Sequence, residues 1–535
     1  MRPALLALAA ALGASATLPA EAFDLKILHV NDVHSRVEPI SRSDGPCSVK
    51  DAEAGACFGG VARLAAAIAN ERARAGTTPV LLLDAGDQSQ GSLFYTVYKG
   101  RDAAEFMNAM GFEATAVGNH EFDDGVPVLS DFARSVRFPV LSANLDLTRE
   151  PDLAALIAPS TVVEKGGERI GTIGLTPPDT AELTIGGRTV GFGDPVAAAR
   201  REAERLTAQG VTKIVLLSHS GYALDQRLAA EVPGLDVIVG GHSHTLLSAT
   251  DPKAAGPYPT LVTGSDGVGV PIVQAYAYGK YLGDLTVTFD ERGVVTRAEG
   301  APILLEQSLP EDPAMVARVA ELAVPLEAMR TKVVGTSAAA IDGSRDTCRT
   351  GECQMGNLVA EAMLARTGDQ GVTIAIANGG GLRASIDAGP VTLGEVLTVL
   401  PFQNTIATFQ LTGADVVAAL EGGVAEVEAG AGRFPQVAGL QFDWSRTGRP
   451  NESRIEAVRV RDDAGRWVPI DPAVTYTLVS NNFLRTGGDG YKVFAEKAVN
   501  AYDYGPNLED AVIAYLTAEN APYRPSTDGR IRETR

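Results

Sequence analysis

Residues 79–91 read PVLLLDAGDQSQG: a run of Val and Leu stops at Asp84 and gives way to Gly, Asp, Gln and Ser. A short apolar run rich in branched residues, bounded by Pro and Gly, reads as a buried strand, and the polar tail marks where the chain leaves the sheet. The pattern recurs in LKILHV (25–30), ATAVGN (114–119), FPVLSANL (138–145), RIGTIGLT (169–176), KIVLLSHS (213–220) and LDVIVGGH (235–242). Amphipathic stretches such as GVARLAAAIANERARAG (60–76) and DPVAAARREAERLTAQG (194–210) lie between several of them. Alternation of this kind is the signature of βαβ units, with helices covering both faces of the sheet structure.

Working outward, residues 259–298 become strand-like without helices, and LPEDPAMVARVAELAVPLEAMRTKV (309–333) reads as one long helix interrupted at Pro325. It is the best inter-domain connector, because beyond it helix (MGNLVAEAMLAR, 355–366) and strand (TIAIANGGG, 373–381; YTLVSNN, 476–482) mix again in a second unit. A length of 535 residues, 45% of them hydrophobic, fits two large folded domains and excludes a disordered chain. Residues 1–22, MRPALLALAAALGASATLPAEA, carry an early Arg, a short apolar stretch and an Ala20-Glu21-Ala22 end, which predicts an export signal cleaved after Ala22. The later chain lacks an apolar run of about 18 residues and the tail DGRIRETR is charged, so neither a membrane span nor a hydrophobic anchoring signal is expected. The expected location is periplasmic or secreted. There, four cysteines spaced ten (Cys47, Cys57) and five (Cys348, Cys353) apart favour two local disulfides over a metal site. The formal net charge of −20 argues against nucleic-acid polymers and anionic membranes as partners, so any anionic ligand needs a local positive site.

Five polar clusters follow five of the strands: NDVHSR (31–36), DAGDQSQG (84–91), GNHEFDDG (118–125), SHSG (218–221) and GGHSHT (240–245). Ligands of α/β sheets bind beyond the carboxyl ends of strands, where clusters far apart in sequence converge. Each cluster alone reads as a turn. Together, however, they hold five of the six histidines in the chain, leaving only His29 in the first strand as a packed core residue. Two carboxylates (Asp32, Asp87), one amide (Asn119) and up to four imidazoles form a mixed N and O set suited to two divalent ions such as Zn or Mn, with too few carboxylates for calcium. An Asp bridging two ions about 3.5 to 4 Å apart lets them activate water and hold a phosphoryl oxygen together. Two such ions and two carboxylates leave a local charge of about +2, matched to a phosphate dianion.

The series NDVHS, GDQSQG, GNHEFD, SHSG and GGHSHT resembles the dinuclear calcineurin-like metallophosphoesterases. CRTGECQMGNL (348–358), NGGGLR (378–383), LPFQN (400–404) and NNFLRTGGDGY (481–491) look like the C-terminal domain of 5′-nucleotidases, animal ecto-enzymes and bacterial periplasmic relatives included. The resemblance runs over essentially the whole mature chain. It implies a two-domain α/β protein: a four-layer αββα metallophosphoesterase sandwich (23–308), a helical linker (309–333) and an α/β nucleotide-binding domain (334–535).

The resemblance also assigns residues. Asp32, His34, Asp87 and His244 would hold one metal, and Asp87, Asn119, His219 and His242 the other. His244 stands where the family often has Gln or Asn, so direct ligation, ligation through water and no ligation all stay open. His120 and Asp123 match the catalytic dyad, while Asp124 matches no role and reads as a solvated turn. Arg349, Asn378 and Arg383 would face the phosphate and nearby polar groups. Phe402 and Phe483 resemble the pair that sandwiches the base, and Asp489 would accept hydrogen bonds from the ribose. Cys47 with Cys57, and Cys348 with Cys353, fall where ecto-5′-nucleotidases have disulfides.

The implied reaction is hydrolysis of nucleoside 5′-monophosphates, AMP among them, by a hydroxide activated by two divalent metals, zinc first with manganese or cobalt as alternatives. Rival readings on the same scaffold are hydrolysis of UDP-sugars, nucleoside diphosphates or dinucleotides, 2′,3′-cyclic phosphodiesterase with 3′-nucleotidase activity, and thiosulfohydrolase activity. A rival of another class is a catalytically dead nucleotide-binding surface protein. The oligomeric state is not legible in the sequence.

Overall fold

A computed structural model describes residues 22–534, apart from 43, 45, 184–188, 403, 463, 504, 519 and 520. The export signal expected over residues 1–22 therefore lies, but for Ala22, outside the described residues.

Two sheets form the first unit. Across the seven-stranded sheet the order is Val295–Leu304, Tyr281–Phe289, Phe23–Val30, Val80–Asp84, Ala114–Ala116, Val140–Leu141, Ile157–Ala158. Across the six-stranded sheet it is Thr260–Thr263, Gly269–Val273, Val237–Gly240, Lys213–Ser218, Glu168–Leu175, Ser160–Lys165. The strands ending in the polar clusters pair in parallel, as Lys26↔Val80, Leu83↔Ala114 and Val215↔Val237 show; antiparallel partners close both edges of the six-stranded sheet and one edge of the seven-stranded sheet, whose other edge strand Ile157–Ala158 pairs in parallel.

Period-two alternation sorts the side chains into layers. From Phe23–Val30, Leu25 and Ile27 join Leu81, Leu83, Val215, Leu217 and Val239 in the core between the sheets. Leu28 and Val30 point the other way, with Leu82, onto Leu64, Ile68, Phe106 and Met107 of the covering helices. Ile214 and Leu216 likewise face Ala199, Ala203 and Leu206 of the helix Pro195–Ala208. That helix starts where the Asp194 side chain accepts from Val196 N and Pro195 occupies the first turn. The result is the four-layer αββα sandwich, and the cluster-bearing strands of both sheets end at one rim.

Two segments depart from expectation. FPVLSANL, read as one strand, gives Val140–Leu141 and a separate Leu145–Asp146 that pairs with Gly191–Phe192. Between them the Asn144 side chain donates to Thr176 O (2.8 Å) and Gly193 O (3.1 Å), so side-chain hydrogen bonds replace the ladder. The helix expected over 309–333 is interrupted at Pro325 as expected but is shorter: Pro313–Ala323 is α-helical, Val324–Leu326 forms one 3₁₀ turn around Pro325, and Glu327–Arg330 follows. Asp312 caps its start by accepting from Ala314 N and Met315 N, both at 2.9 Å, which leaves 309–311 outside the helix. Leu322 and Leu326 pack into the same core as Leu64 and Phe106.

The second unit holds a five-stranded sheet ordered Pro435–Ala438, Ile374–Asn378, Thr475–Asn481, Ile406–Thr412, Val499–Tyr502. One face packs on the helices Gln354–Thr367 and Leu508–Ala518 through Leu358, Met363, Val479, Val512 and Leu516. The other face packs through Ile376, Phe409 and Leu478 onto Val416, Leu420, Phe442 and Trp444. Disulfides join Cys47 to Cys57 and Cys348 to Cys353, with Cα atoms 5.7 and 5.0 Å apart.

Candidate functional site

The strand ends deliver the predicted ligands to one place. Asp32 and His34 follow Phe23–Val30, Asp87 follows Val80–Asp84, Asn119 and His120 follow Ala114–Ala116, His219 follows Lys213–Ser218, and His242 and His244 follow Val237–Gly240. Three groups have ligand atoms mutually within 4.8 Å: Asp32 with His34 and His244, His34 with Asp87 and His120, and Asp87 with His219 and His242. His34 and Asp87 each belong to two of them, and Asp87 is the carboxylate among these shared residues. Asn119 Oδ1 lies 2.9 Å from His242 Nδ1.

The backbone is bent to make this convergence. Asp32, His34, Asp87, His242 and His244 all sit at positive φ, between 49° and 70°, a conformation that costs a non-glycine residue about 1 kcal/mol or more and recurs at functional sites. Gly118 is required for space, because a Cβ there would overlap the Asp87 carboxylate. Gly125 is required for its φ of +85°.

Side-chain partners fix the imidazoles. His34 Nδ1 lies 3.2 Å from Ser89 O and His219 Nδ1 2.6 Å from Ala85 O, so each Nδ1–H donates to a carbonyl and each Nε2 lone pair faces inward. There His219 Nε2 is fully buried without a hydrogen bond, 3.0 Å from Asp87 Oδ2 and 3.7 Å from Asp32 Oδ1. His244 Nε2 is 3.3 Å from Asp32 Oδ1 and 3.1 Å from His34 Nε2. Lone pairs and carboxylate oxygens crowded this way repel unless a positive charge sits among them. Ligand atoms of an ion with bonds of about 2.1 Å lie roughly 3.0 to 3.4 Å apart, so the donor set fits divalent metals in type and spacing. In the metal-free protein the same field acts on protons. Burial opposes charging His219, yet Asp87 and Asp32 pull it up to about 10. Burial, and then the neighbouring His219, pushes His242 down to about 3, and burial with nearby Arg345 holds His244 well below the usual range.

His120 donates its backbone N–H to Asp87 Oδ1 (3.0 Å), and its Nδ1 lies 2.6 Å from Asp123 Oδ2. Burial disfavours its imidazolium, but Asp123 and then Asp87 outweigh that and raise its pKa. Asp124 is the exposed turn residue expected, with Lys99 Nζ donating to its Oδ2 at 3.1 Å. His29 is the expected core residue, fully buried with Nε2 2.9 Å from Tyr258 OH.

A cleft of about 530 Å³ opens over this centre, lined from one side by Asp87, Asn119, His120, Asp123, His242 and His244 and from the other by Arg349, Asn378, Arg383, Phe402, Phe483 and Asp489. Asp32, His34 and His219 lie buried beneath it. The two sides touch: Arg383 Nη2 lies 3.3 Å from His34 Nε2, and the Phe402 ring lies 5.6 Å from that of His120 and under the Arg383 guanidinium. Asn378 donates to Asp489 Oδ2 at 2.6 Å and accepts from Asn481 Nδ2 at 3.1 Å. Among the lining residues that sequence reasoning missed are Arg345, Asn404 and Arg433. Arg345 was findable, because it stands one helical turn before Arg349; Arg433 follows a Gly-rich stretch that carries no signal of its own.

Residues 25–246 match the calcineurin-like phosphoesterase family, and residues 333–496 match the 5′-nucleotidase C-terminal domain. The chain is 39% identical to 5′-nucleotidase of Bos taurus, over 98% of this chain and 93% of that one. It is 38% identical to that of Homo sapiens over the same shares. The chain belongs to the 5′-nucleotidase family. Among solved structures, a 5′-nucleotidase precursor from Thermus thermophilus superposes with a TM-score of 0.89 at 41% identity, covering 96% of this chain and 99% of that one. A sulfate thiohydrolase of the same organism superposes with a TM-score of 0.77 at only 19% identity, which shows a shared fold and nothing of its chemistry. This 5′-nucleotidase is thus a two-domain α/β hydrolase of nucleoside monophosphates, with a site for two divalent metals. No helix among the described residues is long and apolar enough to cross a membrane.

Proposed function

We propose that this enzyme releases phosphate from nucleoside 5′-monophosphates, AMP included, with residues 23–308 as catalytic domain, 309–333 as linker and 334–535 as substrate-binding domain. Asp32, His34, Asp87 and His244 would hold one ion and Asp87, Asn119, His219 and His242 the other, with zinc as the native metal. When bound, two such ions supply a hydroxide at neutral pH and offset charge on the phosphoryl oxygens.

The chain's own groups do the rest. His120, kept protonated by Asp123, donates toward the phosphoryl oxygens as their charge develops. Arg349 and Arg383 hold the phosphate in planar, donor-rich forks. Phe402 and Phe483 take the two faces of the base, an interaction worth roughly 1 to 3 kcal/mol per base and tolerant of base identity. Asp489, aimed by Asn378, accepts from the ribose hydroxyls. Two disulfides support a periplasmic or secreted location, since such bonds persist in oxidising compartments.

The observation that carries the reading is the single cleft in which metal-type ligands from one domain face arginines and aromatic rings from the other. Phosphate release from AMP, UMP, ADP, UDP-glucose, 3′-AMP and cyclic nucleotides, with Zn, Mn or Co supplied, tests it. Preferential turnover of 5′-monophosphates is expected, and none with any metal would sink it.

A further inference from the structure

Glu509 is a buried carboxylate with no part in the chemistry above. It lies in the first turn of the helix Leu508–Ala518, is only 6% exposed, and its Oε2 has no hydrogen-bond partner. Beside it is a void of about 10 Å³, enough for one water, lined also by Asn481 and Leu508. Four residues of that lining, Asn378, Gly381, Phe402 and Asn404, also line the substrate cleft.

The helix start is tied to the same segment. Leu508 N donates to Asn404 O (2.8 Å) and Ile406 N to Pro506 O (2.9 Å). Asn481 then leads through Asn378 to Asp489. An unpartnered buried carboxylate oxygen costs several kcal/mol unless water or a proton satisfies it. A water in the void has Glu509, Asn404 and Asn481 around it as polar partners.

We propose that Glu509 is a positioning residue of the nucleoside subsite, holding Phe402, Asn404 and the Asn481–Asn378–Asp489 chain in register through one buried water. The inference rests on the nucleotidase reading above and deepens it. Burial, with a smaller contribution from Asp510 on the same helix, pushes the Glu509 carboxyl up to about 7. No other residue lining the void is titratable. On the helices packed against this one, Glu361 pairs with Arg530 and Tyr515, Glu395 accepts from Thr392, and Arg366 is exposed to solvent. Glu509 thus changes charge near neutral pH without a countercharge in the void.

The test is steady-state kinetics with AMP, and inhibition by inorganic phosphate, for Glu509→Leu and Glu509→Gln in the metal-loaded enzyme. Glu509→Leu is expected to raise KM for AMP about five- to ten-fold, with kcat and the inhibition constant of phosphate unchanged. Glu509→Gln mimics the neutral acid: its KM matches wild type at pH 5.5 and is about three-fold lower at pH 8.5, where the wild-type carboxyl is ionised. An unchanged KM in a folded Leu variant overturns the proposal, as does an equal loss of phosphate affinity. If the Leu variant does not fold, a Gln-to-wild-type KM ratio that stays flat from pH 5.5 to 8.5 overturns it alone. Failure of the wild type to hydrolyse AMP would instead strike the nucleotidase reading.

Discussion

Glu121 accepts from four backbone N–H groups: Asp87 (3.1 Å) and Gly118 (2.8 Å) on Oε2, Gln88 (2.9 Å) and Ser89 (3.1 Å) on Oε1. One carboxylate therefore locks the loop of the bridging Asp87 to the loop of Asn119 and His120. In GNHEFDDG the types and spacing of Asn119, His120 and Asp123 pointed to chemistry; Glu121 was legible only as loop support, because most of its donors lie more than thirty residues away. A glutamine keeps one acceptor and turns an NH₂ against two donors. Glu121→Gln is expected to weaken metal binding about 10- to 100-fold, the usual cost of losing a group that aims a ligand, measurable by metal titration. Wild-type metal affinity in that variant would show that the clamp is not what aims Asp87. A second buried carboxyl sets a pH dependence of stability. Asp236 Oδ2 accepts from Ile214 N (2.7 Å), and burial pushes its pKa from 3.8 up to about 8. The folded state then binds the proton more tightly than the unfolded chain, so the stabilisation is complete below about pH 4 and is lost as pH rises through 8. Asp236→Asn keeps the acceptor and removes the titration. Its melting temperature should match wild type near pH 4.5 and exceed it by several degrees at pH 8.5; parallel melting curves across that range would refute the assignment.

At the scale of elements, strand and helix types were legible where one periodicity persisted, as in PVLLLDAG or DPVAAARREAERLTAQG. They were illegible where side chains took over the backbone's partners. FPVLSANL looks like one strand until Asn144 bonds Thr176 and Gly193, and no local pattern in residues 138–145 records those distant partners. The Cys348–Cys353 link was legible from spacing and export. What the fold adds is its position: it closes a five-residue loop around Arg349 at the start of the helix Gln354–Thr367. The Arg349 guanidinium is buried in the cleft wall, with Nη1 3.4 Å from Gly430 O. Cutting the loop should cost about 2 kcal/mol by chain entropy and let the arginine wander. Cys348→Ala with Cys353→Ala is therefore expected to lower the melting temperature and raise KM for AMP, with metal content unchanged. An intact KM at reduced stability would mean that Arg349 is held by packing rather than by the bridge.

Over the whole molecule, the metal-type ligands and the facing arginines and aromatic rings lie on two domains that face each other across the cleft and also touch where Leu397 packs against the core of the first. The ordered motifs let the sequence name twelve of the residues on the two walls, and packing brings the rest. How the walls face each other follows from packing between units some 300 residues apart, which no periodicity encodes. The division predicts separable kinetics. Phe402→Ala should raise KM for AMP roughly 5- to 100-fold, as expected for about 1 to 3 kcal/mol of lost stacking, and leave inhibition by inorganic phosphate near its wild-type value. Asp87→Ala removes the carboxylate proposed to serve both metals, so it should nearly abolish turnover and cut bound metal below two ions per chain. Neither result says whether the walls are permanently apposed. The contacts between Arg383 and His34 and between Phe402 and His120 span the cleft, and the nucleotide must pass between those groups to reach the metals. The site is therefore expected to open further, with the broken helix around Pro325 and the segment beyond it as the proposed link. Small-angle scattering of the metal-loaded enzyme should show a broader distance distribution without ligand than this arrangement gives, and narrow toward it when a non-hydrolysable nucleotide analogue saturates the site. Identical profiles with and without analogue would require another path for the substrate, through a cleft that stays shut.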